Sequence, residues 1–232
     1  MTAVATKLPE ARAQPTQPER AAPAEQHLLL PDVNWDSYVA IGAALADRPA
    51  LRLTYDRGSL EFMTTSRAHE FYKKWWNRII EIIAEELNRP IAPGGNMTFQ
   101  QADLHRGLEG DECFWIEHEA HMRRRLTWDP DVDPPPDLFL EIEVSRSLLD
   151  RLAILAALRV PEVWTFDGSV IRVLCFQADG TYQVQERSRF FSEVPLADLA
   201  RFVDPNGSTD YLSAMRAFRE WLRQVLGKPA GE

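Results

Sequence analysis

The stretch from Pro136 to Val144 constrains this chain more than any other. Side chains alternate across a strand with period two. Leu138, Leu140, Ile142 and Val144 therefore share one face, and Asp137, Phe139, Glu141 and Glu143 share the other. A fully apolar face needs a core to cover it, so the segment is expected to lie against one. The second face carries Glu141 and Glu143 two residues apart, roughly 6–7 Å between side-chain bases. At an effective dielectric of about 20, two such anions repel by roughly 2–3 kcal/mol. A shared divalent cation would remove that cost, and oxygen ligands suit Mg²⁺. A solvent-facing strand with hydrated carboxylates explains the same pattern without a metal.

A second acidic position lies 30 residues earlier. Leu108-Glu109-Gly110-Asp111-Glu112-Cys113 reads as a glycine-flanked aspartate opening another strand. A metal-dependent phosphodiester hydrolase needs carboxylates brought by adjacent strands onto one or two cations. The cations activate water and stabilise the charge that develops at phosphorus. Asp111, Glu141 and Glu143 could form that set. A turn-capping aspartate is the other reading of Asp111.

The rest of the chain supplies a frame. Its 232 residues, 45% hydrophobic and 26% charged, suit one soluble domain with a sizeable core. Two cysteines, Cys113 and Cys175, exclude a disulfide framework and a four-cysteine zinc site. No apolar run approaches the roughly 18 residues of a membrane span. No secretory signal is visible, and the expected compartment is the cytoplasm. A net charge of −9 argues against a strong non-specific nucleic-acid binder.

Residues 1–27, rich in Ala, Pro, Gln and Glu, read as a disordered tail. A domain is expected over 28–205, and a C-terminal helix packing on the domain or a dimer over 206–232. Helical spacing predicts helices over Asp32–Ala46, from the cap Ser66 to about Leu87, over Leu148–Leu158 and over Tyr211–Leu226. A hairpin is expected over Leu51–Met63. Further strands are expected near 97–101, 112–116, 138–144, 163–166, 170–176 and 182–185. The order suggests an α/β fold with a mixed sheet flanked by helices.

The quoted motifs carry a family resemblance. Pro136-Asp137-Leu138 through Glu141, then Ser145 and Ser147, Asp150-Arg151, and Val160-Pro161-Glu162-Val163-Trp164 resemble the Uma-two family of restriction-endonuclease-like proteins. The stretch from Gly107 to Ile116, and Gly58 to Met63 followed by His69, resemble its upstream elements. The resemblance covers roughly residues 48–176. It implies a PD-(D/E)XK nuclease fold with a mixed central sheet, often homodimeric, and Mg²⁺-dependent cleavage of DNA, with Mn²⁺ as a substitute. It assigns Asp111 and Glu141 to the metal. It sets Glu143 where the superfamily usually has lysine, and Arg151 where the family's helix usually bears lysine, on the scissile phosphate.

This sequence departs from the family at several points. No lysine lies between residues 75 and 227. Gly110 stands in place of the usual proline. Arg159 stands in place of the usual glycine, which suggests a different helix C-cap. A catalytically degenerate binding or interaction module on the same fold is the alternative. His69 could face the site from a helix start. His118, His121 and Arg123-Arg124-Arg125 read as a solvated connection. Trp76 is expected in the core and Trp75 toward a partner or dimer interface.

Overall fold

The computed structural model describes residues 25–48 and 50–229. Most of the expected tail lies outside the described residues. Its end is corrected, because Gln26–Leu30 forms strand β1. β1 pairs antiparallel with β3 (Ser59–Thr64) along its whole length, from Gln26↔Thr64 to Leu30↔Leu60. Leu28, Leu29 and Leu30 stay exposed, so backbone pairing and polar anchors hold the strand rather than apolar burial.

The hairpin of β2 (Leu51–Asp56) and β3 turns at Arg57-Gly58, both at positive φ. The structure extends it into a five-stranded antiparallel sheet. β6 (Arg106–Glu109) and β5 (Thr98–Gln101) give the order β1-β3-β2-β6-β5. Helix α1 (Trp35–Leu45), capped by Asn34, packs on it through Trp35 and Tyr38.

The mixed sheet is a second unit of six strands. It contains β4 (Ala92–Pro93), β7 (Glu112–Trp115), β8 (Leu138–Ile142), β9 (Glu162–Phe166), β10 (Ile171–Phe176) and β11 (Tyr182–Gln185). Their order is β11-β10-β9-β8-β7-β4. Only β8 and β9 run parallel among the described pairs. A parallel pair needs a crossover, which helix α4 (Arg151–Ala157) supplies.

Strand β8 is buried on both faces, so its second face is not wet as one reading held. Leu138, Leu140 and Ile142 share one core cluster with Trp76, Ile79 and Ile83 of α2 (Arg67–Leu87) and Phe218 of α5 (Tyr211–Val225). Phe139 packs the other way, on Ile154 and Leu155 of α4 and on Phe99 and Leu108 of the first sheet. Ser66 caps α2 by accepting the His69 amide at 3.1 Å, and Asn88 ends it in the left-handed conformation. A short helix, α3 (Glu119–Met122), lies in the β7–β8 connection, and a 3₁₀ segment spans Leu196–Phe202.

Three expectations change. Trp75 is only 4% exposed and meets Tyr211 of α5 edge-on at 5.1 Å, so it faces this chain's own last helix. The helix expected from Leu148 begins at Arg151, because Asp150 caps it and the Leu148 and Leu149 amides donate to Glu61 instead. Arg159 does not alter the helix end. At φ 58° it takes the left-handed conformation a glycine would take, and Val160 N donates to Leu155 O at 3.1 Å.

Candidate active site

β7 and β8 bring the first two carboxylates together. Their antiparallel register pairs Glu112↔Leu140 and Cys113↔Phe139. Continued by one residue, it sets Asp111 opposite Glu141, and directly opposed residues have side-chain bases about 5 Å apart. Gly110 permits this approach. A Cβ there would lie 2.2 Å from Phe139 Cζ, so the chain turns into Asp111 only where no side chain stands.

Asp111 is 2% exposed, and both its oxygens are engaged. Oδ2 accepts from the Ile142 amide at 2.8 Å, and Oδ1 lies 2.7 Å from His69 Nε2. His69 Nδ1 lies 3.0 Å from Glu25 Oε1. An imidazole facing a carboxylate on each side is served only by its doubly protonated form. Burial pushes His69 down, but Asp111 and Glu25 more than offset this and raise it to about 9. Burial would likewise raise Asp111. The hydrogen bond and charge of His69, the charge of Arg151 and the Ile142 amide hold it below its ordinary value instead.

Glu141 is 4% exposed and is gripped by Arg151. Arg151 Nε and Nη2 each donate to a Glu141 oxygen at 2.9 Å. Nη2 also donates to the Glu109 carbonyl at 2.8 Å, and Nη1 to Thr54 Oγ1 at 2.6 Å. Four of the five guanidinium N–H groups therefore end on protein acceptors. The fork expected to hold a phosphate is already filled. Burial pushes the Glu141 carboxyl up to about 7; Arg151 opposes the rise, and the Asp111 charge adds to it.

Glu143 lies just past β8 and is exposed, tied by its amide to Phe166 O at 2.8 Å. It shares with Asp111 and Glu141 a cleft of about 970 Å³, whose wall also carries Arg146, Asp167 and Arg172. Partial loss of hydration against the cleft wall raises the Glu143 carboxyl, opposed by the charges of Arg151 and Arg172.

The cleft wall is braced by residues that sequence reasoning missed. Glu61, 2% exposed, accepts from the Leu148 amide at 2.9 Å, the Leu149 amide at 3.3 Å and the Ser147 hydroxyl. His27 bridges Glu61 and Ser145 at 2.7 Å each, and Ser145 donates to Glu25. Glu61 could have been suspected as a lone acid between Leu60 and Phe62 of an apolar hairpin. Glu25 and His27 carried no signal, since the low apolar content around them reads as tail. Asp137 does not join the site. It accepts the Ile116 and His118 amides and lies 2.8 Å from the His118 ring, closing the turn after β7. His121 pairs with Asp133 in the same connection.

The donor chemistry fits a hard divalent cation. Asp111, Glu141 and Glu143 offer only carboxylate oxygen, the ligand type such a cation takes. The arrangement differs from a cation cage. Among the described residues no three His, Cys, Asp or Glu side chains converge on one point.

The sequence matches the family Uma2, described as "Putative restriction endonuclease", over residues 35–203. The chain belongs to the Uma2 family. A comparison with curated proteins finds no match. The Uma2 match runs from α1 through β11 to the end of the 3₁₀ segment and contains Asp111, Glu141, Glu143 and Arg151, whereas Glu25 and His27 precede it. The mixed α/β architecture, two sheets flanked by helices, is consistent with the restriction-endonuclease-like fold of Uma2. No helix among the described residues is long and apolar enough to cross a membrane.

Proposed function

We propose that this Uma2 protein hydrolyses phosphodiester bonds of DNA with Mg²⁺, or Mn²⁺ in its place, held when bound by Asp111 and Glu141 with Glu143 at the mouth of the cleft. One observation carries this reading. The β7–β8 register sets two buried carboxylates side by side where a cleft of about 970 Å³ opens. A bound cation supplies Lewis acidity and lowers the pKa of a coordinated water. The chain's own residues do the rest. His69 and the Ile142 amide keep Asp111 ionised and fixed in orientation. Arg146 and Arg172, on the cleft wall, offer positive charge to a phosphate backbone. Arg151 balances Glu141.

Purified wild-type protein and Asp111→Asn, incubated with DNA and Mg²⁺, test the proposal. The variant should lose at least about a hundredfold in cleavage rate, the scale of removing a group that acts in the transition state. Equal residual cutting by the two proteins would mark the activity as a contaminant and end this reading.

A binding module on the same fold is the second reading. It is favoured by Arg151, which takes both oxygens of Glu141. It requires DNA or protein binding indifferent to Mg²⁺ and to Glu141→Gln. The homodimer expected for this fold is proposed as well, supported by β1, an edge strand among the described residues, with its exposed Leu28, Leu29 and Leu30. Light scattering reads it directly. A cytoplasmic site of action fits two cysteines that are both free thiols.

A further inference from the structure

Glu141 has two oxygens, and a guanidinium occupies both. Arg151 is anchored at four points on three strands: Glu141 of β8, the Glu109 carbonyl of β6 and Thr54 of β2. Its side chain is 14% exposed and that of Glu141 5% exposed, so the pair is shielded from water and salt. A divalent cation on Glu141 would need the same oxygen atoms. Each oxygen keeps a second lone pair, but a divalent cation there would sit within a few ångströms of a fixed guanidinium charge in a shielded site, so metal and Arg151 oppose one another on this carboxylate.

Residue type matters here. A lysine at this helix start would offer a single ammonium on a flexible stem, which binds one oxygen at a time and yields readily. An arginine offers a planar fork that matches a carboxylate at two points. The fork here is held further by two acceptors away from Glu141, so leaving Glu141 disturbs a set of bonds and not one contact.

We propose that Arg151 is a built-in counter-cation that closes the Asp111–Glu141 pair to divalent metal, so that a cation gains Glu141 only when Arg151 leaves it. The event is an ion exchange. Two N–H···O bonds to Glu141 break, metal–oxygen bonds form, and no covalent bond changes. This inference rests on the reading of Asp111 and Glu141 as the cation-holding pair, and it names what regulates that pair.

Mn²⁺ alone is the probe. Its free concentration is followed by electron paramagnetic resonance, with thermal unfolding as a parallel readout. The proteins are wild type, Arg151→Gln and Arg151→Lys. Arg151→Gln should bind Mn²⁺ at least about tenfold more tightly than wild type, equivalent to about 1.4 kcal/mol. Arg151→Lys should lie between them. Adding Glu141→Gln to Arg151→Gln should abolish the gain. Removing the guanidinium leaves a buried carboxylate unpaired, so Arg151→Gln could fail to fold. Arg151→Lys keeps a positive charge and then decides the question alone.

Equal Mn²⁺ affinity in wild type and in each folded variant overturns the proposal, whether that affinity is strong or absent. So does a gain that survives Glu141→Gln. Wild-type DNA cleavage with Mg²⁺ separates the two readings. Cutting that Asp111→Asn abolishes, together with equal Mn²⁺ affinities, sinks the counter-cation and keeps the nuclease. A Mn²⁺ gain in the Arg151 variants without any cutting keeps the counter-cation and sinks the nuclease.

Discussion

Raising the pH should unfasten the site at His69. The ring lies between Asp111 and Glu25, and its pKa rises to about 9 against 6.5 for an ordinary imidazole. A group whose pKa is raised on folding stabilises the fold fully below its unfolded value. That stability is lost as the pH climbs through the folded value. The window for His69 therefore runs from about 6.5 to about 9. Glu141, raised to about 7, also loses stability as the pH rises, but its window ends near neutrality. The range from about pH 7.5 to about pH 9 lies above the Glu141 window; the Cys113 and Cys175 thiols, also raised by burial, add a loss only toward its upper end, and they do so in wild type and His69→Gln alike. Those 1.5 units are worth about 2 kcal/mol at 1.36 kcal/mol each. Urea unfolding of wild type at the two pH values should show a loss of that size. In Tm it corresponds to about 4–8 °C for a chain of this length. His69→Gln leaves two buried carboxylates without their cation and should be about 3–5 kcal/mol less stable near neutral pH. Its stability should then change little between pH 7.5 and 9. Parallel pH dependence in wild type and His69→Gln would refute the assignment of the charge to His69.

Four further outcomes follow from the packing and the cleft brace. Gly110→Ala would bring a methyl to 2.2 Å from Phe139 Cζ and should destabilise by about 1–3 kcal/mol, read by urea unfolding. Arg159→Gly should stabilise by about 1 kcal/mol, since the backbone at φ 58° suits glycine; a loss of stability would mean the arginine side chain outweighs the strain. Glu61→Ala should cost about 3 kcal/mol and speed hydrogen exchange at the Leu148 and Leu149 amides, which lose their acceptor. Trp75→Ala should cost about 3–5 kcal/mol without changing the mass seen by light scattering, because Trp75 meets Phe71 and Tyr211 of its own chain.

The long periodic elements were legible because period and burial agree. The helix after Ser66 and the strand from Leu138 each bury the residues their spacing selects. Elements held by backbone pairing without an apolar pattern were not legible. β1 has three exposed leucines and a tail-like neighbourhood, and β4 is two residues long. In the site, residue types pointed to Asp111 and Glu141, and the strand register brings the two together. The pair Glu141 and Glu143 reads as one face in sequence, yet β8 ends at Ile142 and separates a buried carboxylate from an exposed one. Glu25, His27 and Glu61 were hidden for a different reason. Each works through contacts 34 or more residues away in the chain, and no local pattern encodes those.

Four buried carboxylates in and around the cleft, Glu25, Glu61, Asp111 and Glu141, share one property that ties these observations together. Each has a partner from within the chain. Glu25 has His69 and Ser145, and Glu61 has His27 and two backbone amides. Asp111 has His69 and the Ile142 amide, and Glu141 has Arg151. Buried anions persist only when paired, and the partners here are imidazole, guanidinium and amide groups. Removing one partner would leave several kcal/mol of unpaired charge for a ligand to satisfy. Among these partners Arg151 stands on the cleft wall, whereas the His69 ring is fully buried. An incoming phosphate can therefore compete for Arg151 from the cleft, and each hydrogen bond it draws from Glu141 raises that carboxylate's affinity for a cation. Anion and metal binding should then be mutually reinforcing in the wild type, and independent once Arg151 is removed.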